Sequence, residues 1–166
     1  QSADPLIPAL MFALAMALSF LESLLPALPM LPPGIRLGLS NIVTMYALFV
    51  LGPVSGYTIA VLKSLFVLLT RGAVAAAMSA SGGIASVTVM LLLSLLPGIR
   101  RQYLLLSVFG GAAHNMGQLI AARFIISNQY VWYYLPVLLA AGLLMGAITG
   151  MALRVVMPYL DRLSPK

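Results

Sequence analysis

Apolar residues run in long blocks along this chain, and short clusters of Pro, Gly and Arg separate the blocks. A helix that crosses a bilayer needs about 20 mostly apolar residues, because the hydrocarbon core is about 30 Å thick and each residue rises about 1.5 Å. Six blocks fit that template: residues 6–25, 37–51, 54–70, 84–96, 103–126 and 132–156. The first ends at Pro26, Pro29 and the run Pro32-Pro33-Gly34, the second at Gly52-Pro53 and the fourth at Pro97-Gly98. A small-residue, weakly polar stretch, 75–83, leads into the fourth block, and blocks two to four are short enough for tilted or re-entrant pieces. Six spans use roughly 120 residues and leave short connections. The pattern therefore predicts an all-α integral membrane protein, with residues 1–166 forming a single six-helix transmembrane domain. The first block is expected to stay in the protein, since Gln1-Ser2-Ala3-Asp4-Pro5 lacks the basic flank of a secretory signal.

Composition sharpens this picture. Of the 166 residues, 62% are apolar and 7% charged, so a water-soluble globule could not cover its surface. The absence of Cys excludes disulfide and thiolate chemistry. Nine Lys and Arg against three acids give a net charge of +6, but the basic residues stand singly or in the pair Arg100-Arg101. Such scattered cations are topology and site charges, not a nucleic-acid footprint. With the N-terminus inside, Arg100, Arg101, Arg154, Arg162 and Lys166 fall on the cytoplasmic side, which places both termini there. Arg36, Arg71 and Arg123 fall outside, as does a belt of Tyr130, Trp132, Tyr133 and Tyr134.

Polar groups inside the blocks are the candidate site. A charge near the bilayer centre costs at least about 2.5–3.5 kcal/mol and calls for a partner or a wet cavity. Lys63 lies midway along the third block, and Arg71, about 80° round the helix, can share one side of a cavity with it. Glu22 sits near the end of the first block beside Ser19 and Ser23, and is equally suited to pairing with Lys63 or Arg36 as a purely structural tie. Arg36, Ser40 and Thr44 follow one face of the second block with Asn41 beside them, and His114, Asn115 and Gln118 occupy adjoining faces of the fifth. Arg123, about 180° from His114, is expected to reach the interface instead. Three cations facing one carboxylate favour a small molecule bearing carboxylate or phosphate.

Two small-residue ladders complete the pattern. Gly142, Gly146 and Gly150 suit close packing within the bundle, whereas Ala9, Ala13 and Ala17 lie about 140–180° from Glu22 and can face a partner protein. No phosphate-binding GxxxxGK[ST] loop is present. One His and three scattered acids do not make a typical zinc site, a paired-carboxylate site or an acid cluster for magnesium. Neither catalytic residues, nor a metal, nor a cofactor is expected.

The run Leu31-Pro-Pro-Gly34-Ile-Arg36-Leu-Gly38-Leu-Ser-Asn41-Ile-Val-Thr44, together with His114-Asn-Met-Gly-Gln118, resembles the family called heptaprenyl diphosphate synthase component I, or Gx transporters. That family is similar to the substrate-binding S components of energy-coupling factor (ECF) transporters. The resemblance implies a protein of the bacterial cytoplasmic membrane that captures a vitamin or cofactor precursor from outside. It also implies that the first helix, through Ala9, Ala13 and Ala17, docks on a transmembrane coupling subunit driven by two ATPases, and that Lys63 is the family's basic residue in the third helix. Two other readings stay open: a non-catalytic accessory subunit of prenyl or quinone metabolism, and a small carrier that exchanges protons through Glu22 and His114.

Overall fold

The computed structural model describes residues 6–24 and 40–163, leaving aside the side chains of residues 7, 8, 22, 23, 156, 157 and 159–163. Six helices follow in order: α1 (Leu6–Leu24), α2 (Asn41–Tyr46), α3 (Pro53–Arg71), α4 (Ala73–Ser94), α5 (Tyr103–Ile126) and α6 (Leu135–Leu163). The chain is an all-α, multi-pass membrane protein. The helices α3, α4 and α5 and the stretch Gln129–Val155 are long and apolar enough to cross a bilayer, and the shorter apolar helices Ala9–Leu21 and Asn41–Leu51 accompany them.

The breaks are set by backbone chemistry. After α2 the ladder widens into a π-helical turn, Ala47–Leu51, and stops at Gly52, whose φ of 105° suits a residue without Cβ. Pro53 then starts α3, where its missing N–H costs nothing. A single residue, Gly72 at φ 88°, joins α3 to α4. The stretch 75–83, expected only to lead into the fourth span, is part of α4 itself. Its residues are helical because they are packed: Ala75, Met78, Ser79, Gly82 and Gly83 are all buried. Before α6, a 3₁₀ segment, Gln129–Tyr134, carries the exposed Tyr130, Trp132, Tyr133 and Tyr134, with Tyr130 stacked on Tyr133 at 5.8 Å.

The most extensive packing is of α5 against α4 on one side and α6 on the other. The glycine ladder of α6 produces the second contact. A methyl carbon at Gly142 would stand 2.7 Å from the Gly111 carbonyl oxygen, one at Gly146 2.5 Å from that of Ser107, and one at Gly150 2.7 Å from the Leu104 Cα. Backbones that close require glycine, as the ladder predicts. Between α2, α3, α4, α5 and α6 lies a core of Met45, Leu48, Ala60, Val87, Met90, Leu106 and Leu153. Helix α1 is peripheral, anchored by Ala15 and Met16 against Val43, Ala47 and Ile59. Large apolar side chains elsewhere point outward, among them Val54, Leu69, Phe124 and Val155. In a bilayer that surface meets lipid tails and carries no penalty.

Candidate functional site

Lys63 is buried, 3% exposed, at mid-height of α3. Its Nζ donates to Asn41 Oδ1 across 2.9 Å, so the first residue of α2 accepts from a cation 22 positions away. A buried ammonium is tolerated only with such an acceptor. The next residue of α3, Ser64, donates its Oγ–H to the Ala60 carbonyl at 2.8 Å and lies 3.4 Å from Ser79 Oγ of α4.

Helix α5 supplies the facing polar group. His114, Asn115 and Gln118 are all buried. Gln118 Nε2 and His114 Nε2 are 3.1 Å apart, and Lys63 is close enough to act electrostatically on His114. Asn115 Nδ2 donates to the Leu138 carbonyl of α6 at 2.7 Å. That bond fixes which end of the amide is NH₂, and leaves Oδ1 as an acceptor. Neither Asn115 Oδ1 nor Gln118 Oε1 meets a donor among the described residues, and His114 Nδ1 has no well-aligned partner there. In a membrane interior an unpaired polar group costs several kcal/mol, so the Asn115 and Gln118 oxygens, about one turn apart, hold unspent hydrogen-bonding capacity among the described residues.

Gly82 of α4 forms the wall behind this group. A Cβ there would stand 2.8 Å from Gln118 Cγ, 2.8 Å from the His114 carbonyl oxygen and 2.9 Å from His114 Cε1. Glycine is thus required for α4 to lie against the imidazole. Below it, toward the Gly52 end of the bundle, Asn41, Ser86, Ser107, Gly110, Gly146 and Thr149 line a chamber of about 10 Å³, enough for about one water molecule. Ser107 Oγ donates to the Gly146 carbonyl at 2.6 Å.

The structure therefore joins Asn41 to Lys63 and His114 to Gln118, and sets Asn115 beside them on α5, tied to α6. Arg71 is half-buried in the last turn of α3, eight residues beyond Lys63, where the helix dipole favours a cation. Arg123 lies in the last turn of α5, half-buried. Arg36 lies outside the described residues, and Glu22 is described only as a backbone position near the end of α1. Ala9, Ala13 and Ala17 are exposed along α1, opposite the buried Ala15. Sequence reasoning did not single out the serines and threonine of α4, α5 and α6. The signal was available: Ser79 and Ser86 of α4 are seven residues apart, as are Ser107 and His114 of α5, a spacing that keeps each pair on one helix face.

The family model described as heptaprenyl diphosphate synthase component I matches residues 11–156, from within α1 to within α6. The chain belongs to that family. No curated protein matches the chain at a significant level. Among solved structures, this family member is similar to one described as the S component of a bacterial ECF transporter. Identity is 20%, the TM-score is 0.66, and the alignment covers 98% of this chain and 95% of the other. Shared architecture over nearly the full length of both chains at so low an identity means the same fold. For the heptaprenyl diphosphate synthase component I family, as this member represents it, that fold is a helical membrane bundle with a polar cluster sealed inside.

Proposed function

We propose that this protein is the membrane-embedded substrate-capture subunit of an ECF-type transporter. The observation that carries the proposal is the buried Lys63–Asn41 pair facing His114, Asn115 and Gln118, whose acceptor oxygens stand without donors among the described residues. Charge and unspent hydrogen-bonding capacity at mid-membrane are costly, and a bound polar guest offsets both. The guest is a small anionic vitamin or cofactor precursor taken from outside. Lys63, with Arg36 and Arg71, attracts its carboxylate or phosphate. Asn41, Asn115, Gln118 and His114 orient it, and N–H or O–H groups on the guest meet the Asn115 and Gln118 oxygens. Glu22 pairs with one of the cations or with a donor on the guest.

The protein is not itself an enzyme in this reading. It sits in the bacterial cytoplasmic membrane with both termini inside. Ala9, Ala13 and Ala17 offer a flat face to a transmembrane coupling subunit, which two ATPases drive. Nothing in the sequence couples to ATP, so the chain alone binds without pumping. In liposomes, uptake is expected only when the coupling subunit and ATPases are added. ATP-driven uptake by this chain alone overturns the proposal.

A second reading takes its support from the family's description, which names a synthase component. Three acids in the whole chain are too few to hold magnesium diphosphate for catalysis, so that reading makes the protein an accessory subunit that holds an anionic isoprenoid. The polarity of the molecule that co-purifies separates the two: a water-soluble compound favours capture, an isoprenoid the accessory role.

A further inference from the structure

A second concavity lies away from the polar cluster, at the end of the bundle that carries Gly52 and Gly98. The π-helical turn after α2, the Gly52-Pro53 corner and the last turn of α4 enclose a groove of about 410 Å³. Its walls include Leu48, Phe49 and Leu51 on one side and Leu91 and Leu95 on the other, with Arg100 at the rim. The π-helical turn Ala47–Leu51 and Gly52, at φ 105°, form the corner that leads into α3 on one side of this space.

The rim is an ordered one. The chain from α4 to α5 is held by successive turns, with Ile99 N–H on the Leu96 carbonyl at 3.2 Å, Gln102 N–H on that of Ile99 at 2.8 Å, and Gln102 Nε2 on that of Gly98 at 3.3 Å. These turns fix Arg100 and Arg101 at the surface, where both are exposed. Around them Leu95 is 72% exposed, Leu96 48% and Val54 80%, so this rim sits where apolar surface gives way to water. A slot walled by Leu, Phe and Val side chains, with Ser94 and the exposed Arg100 as its polar side chains, is complementary to an amphiphile with an anionic head above other occupants. Acyl chains are the solvent of the slot, and arginine recognises phosphate by paired N–H donors.

We propose that this groove is a binding site for one anionic phospholipid, its phosphate on Arg100 and the start of one acyl chain between the π-turn and α4. The site is separate from the polar cluster, and its test does not depend on the transport reading.

The experiment is native mass spectrometry of the full-length protein released from vesicles of equimolar phosphatidylglycerol and phosphatidylcholine. The wild-type protein retains one phosphatidylglycerol with a preference of about fivefold, the factor expected for one basic side chain near an anionic surface. Arg100→Gln abolishes the preference, and Arg100→Lys keeps part of it. Ser94→Trp, which fills the groove with Arg100 intact, lowers retention of the lipid without changing the melting temperature. Arg154→Gln, a cation of α6 outside the groove, leaves the preference unchanged. A wild-type protein without preference, or one whose preference survives both Arg100→Gln and Ser94→Trp, overturns the proposal. So does a pull-down in which an acidic protein segment, and no lipid, occupies the groove in an Arg100-dependent way.

Discussion

Asn41 Oδ1 and Lys63 Nζ, 2.9 Å apart, bind the start of α2 to the middle of α3. The pair is asymmetric in its consequences. Loss of the cation leaves a neutral amide, whereas loss of the amide leaves a buried charge short of an acceptor. Asn41→Leu is therefore expected to cost about 1–3 kcal/mol of unfolding stability in detergent. Adding Lys63→Met to that variant should restore most of the loss, with a coupling of about 0.5–3 kcal/mol in the double-mutant cycle. Strictly additive effects would separate the two residues.

Gly82 gives a second expectation. A methyl group at this position meets Gln118 and the His114 backbone at 2.8 Å, so Gly82→Ala forces α4 from α5 and should destabilise by about 1–3 kcal/mol. Gly72→Ala meets open space but must adopt φ 88°, and should cost a similar amount through backbone strain, about 1–3 kcal/mol. Thermal unfolding reads both effects, and ligand retention separates them. Gly82→Ala disturbs the polar cluster and should lose ligand, whereas Gly72→Ala should keep it. Equal retention in the two variants would detach Gly82 from the site.

How far the sequence foretold this arrangement depends on the kind of signal. Spans bounded by Gly and Pro were legible, because those residues act on the backbone locally: Gly52-Pro53 starts α3 at Pro53, and α5 runs over Tyr103–Ile126 as its apolar block indicates. The glycine ladder of α6 was legible for the same reason, since its spacing alone keeps one side of the helix free of side chains. The stretch 75–83 was harder. Its Ala, Ser and Gly residues carry little hydropathy, and their place in α4 follows from close packing, such as that at Gly83, where a Cβ would stand 3.1 Å from the Ala60 Cβ.

The candidate site divides in the same way. Lys63 and the group at 114–118 stood out as polar residues in apolar blocks, and both are buried. What the sequence did not reveal was the partner each residue chose. The Asn115–Leu138 bond joins a side chain to a backbone carbonyl of α6, and a carbonyl leaves no mark on residue type. The chamber between Ser86, Ser107 and Thr149 was missed because a single hydroxyl in an apolar helix can bond its own backbone and needs no cavity.

The exposed alanine face of α1 carries a prediction about assembly. Ala13→Trp places a large side chain on the surface proposed to meet the coupling subunit, away from the polar cluster. Co-purification with the coupling subunit and ATPases should fall at least about tenfold, a change of about 1.4 kcal/mol, while ligand retention stays as in the wild type. Undiminished association would move the contact to another face.

Native mass spectrometry of the full chain, purified from its own membrane with and without Lys63→Met, bears most directly on the buried cation as the ligand's anchor. One small polar molecule should accompany the wild-type protein, and Lys63→Met should weaken its binding by at least about tenfold, or about 1.4 kcal/mol. A molecule held equally well by both proteins would show that the ammonium serves the bundle and not a guest.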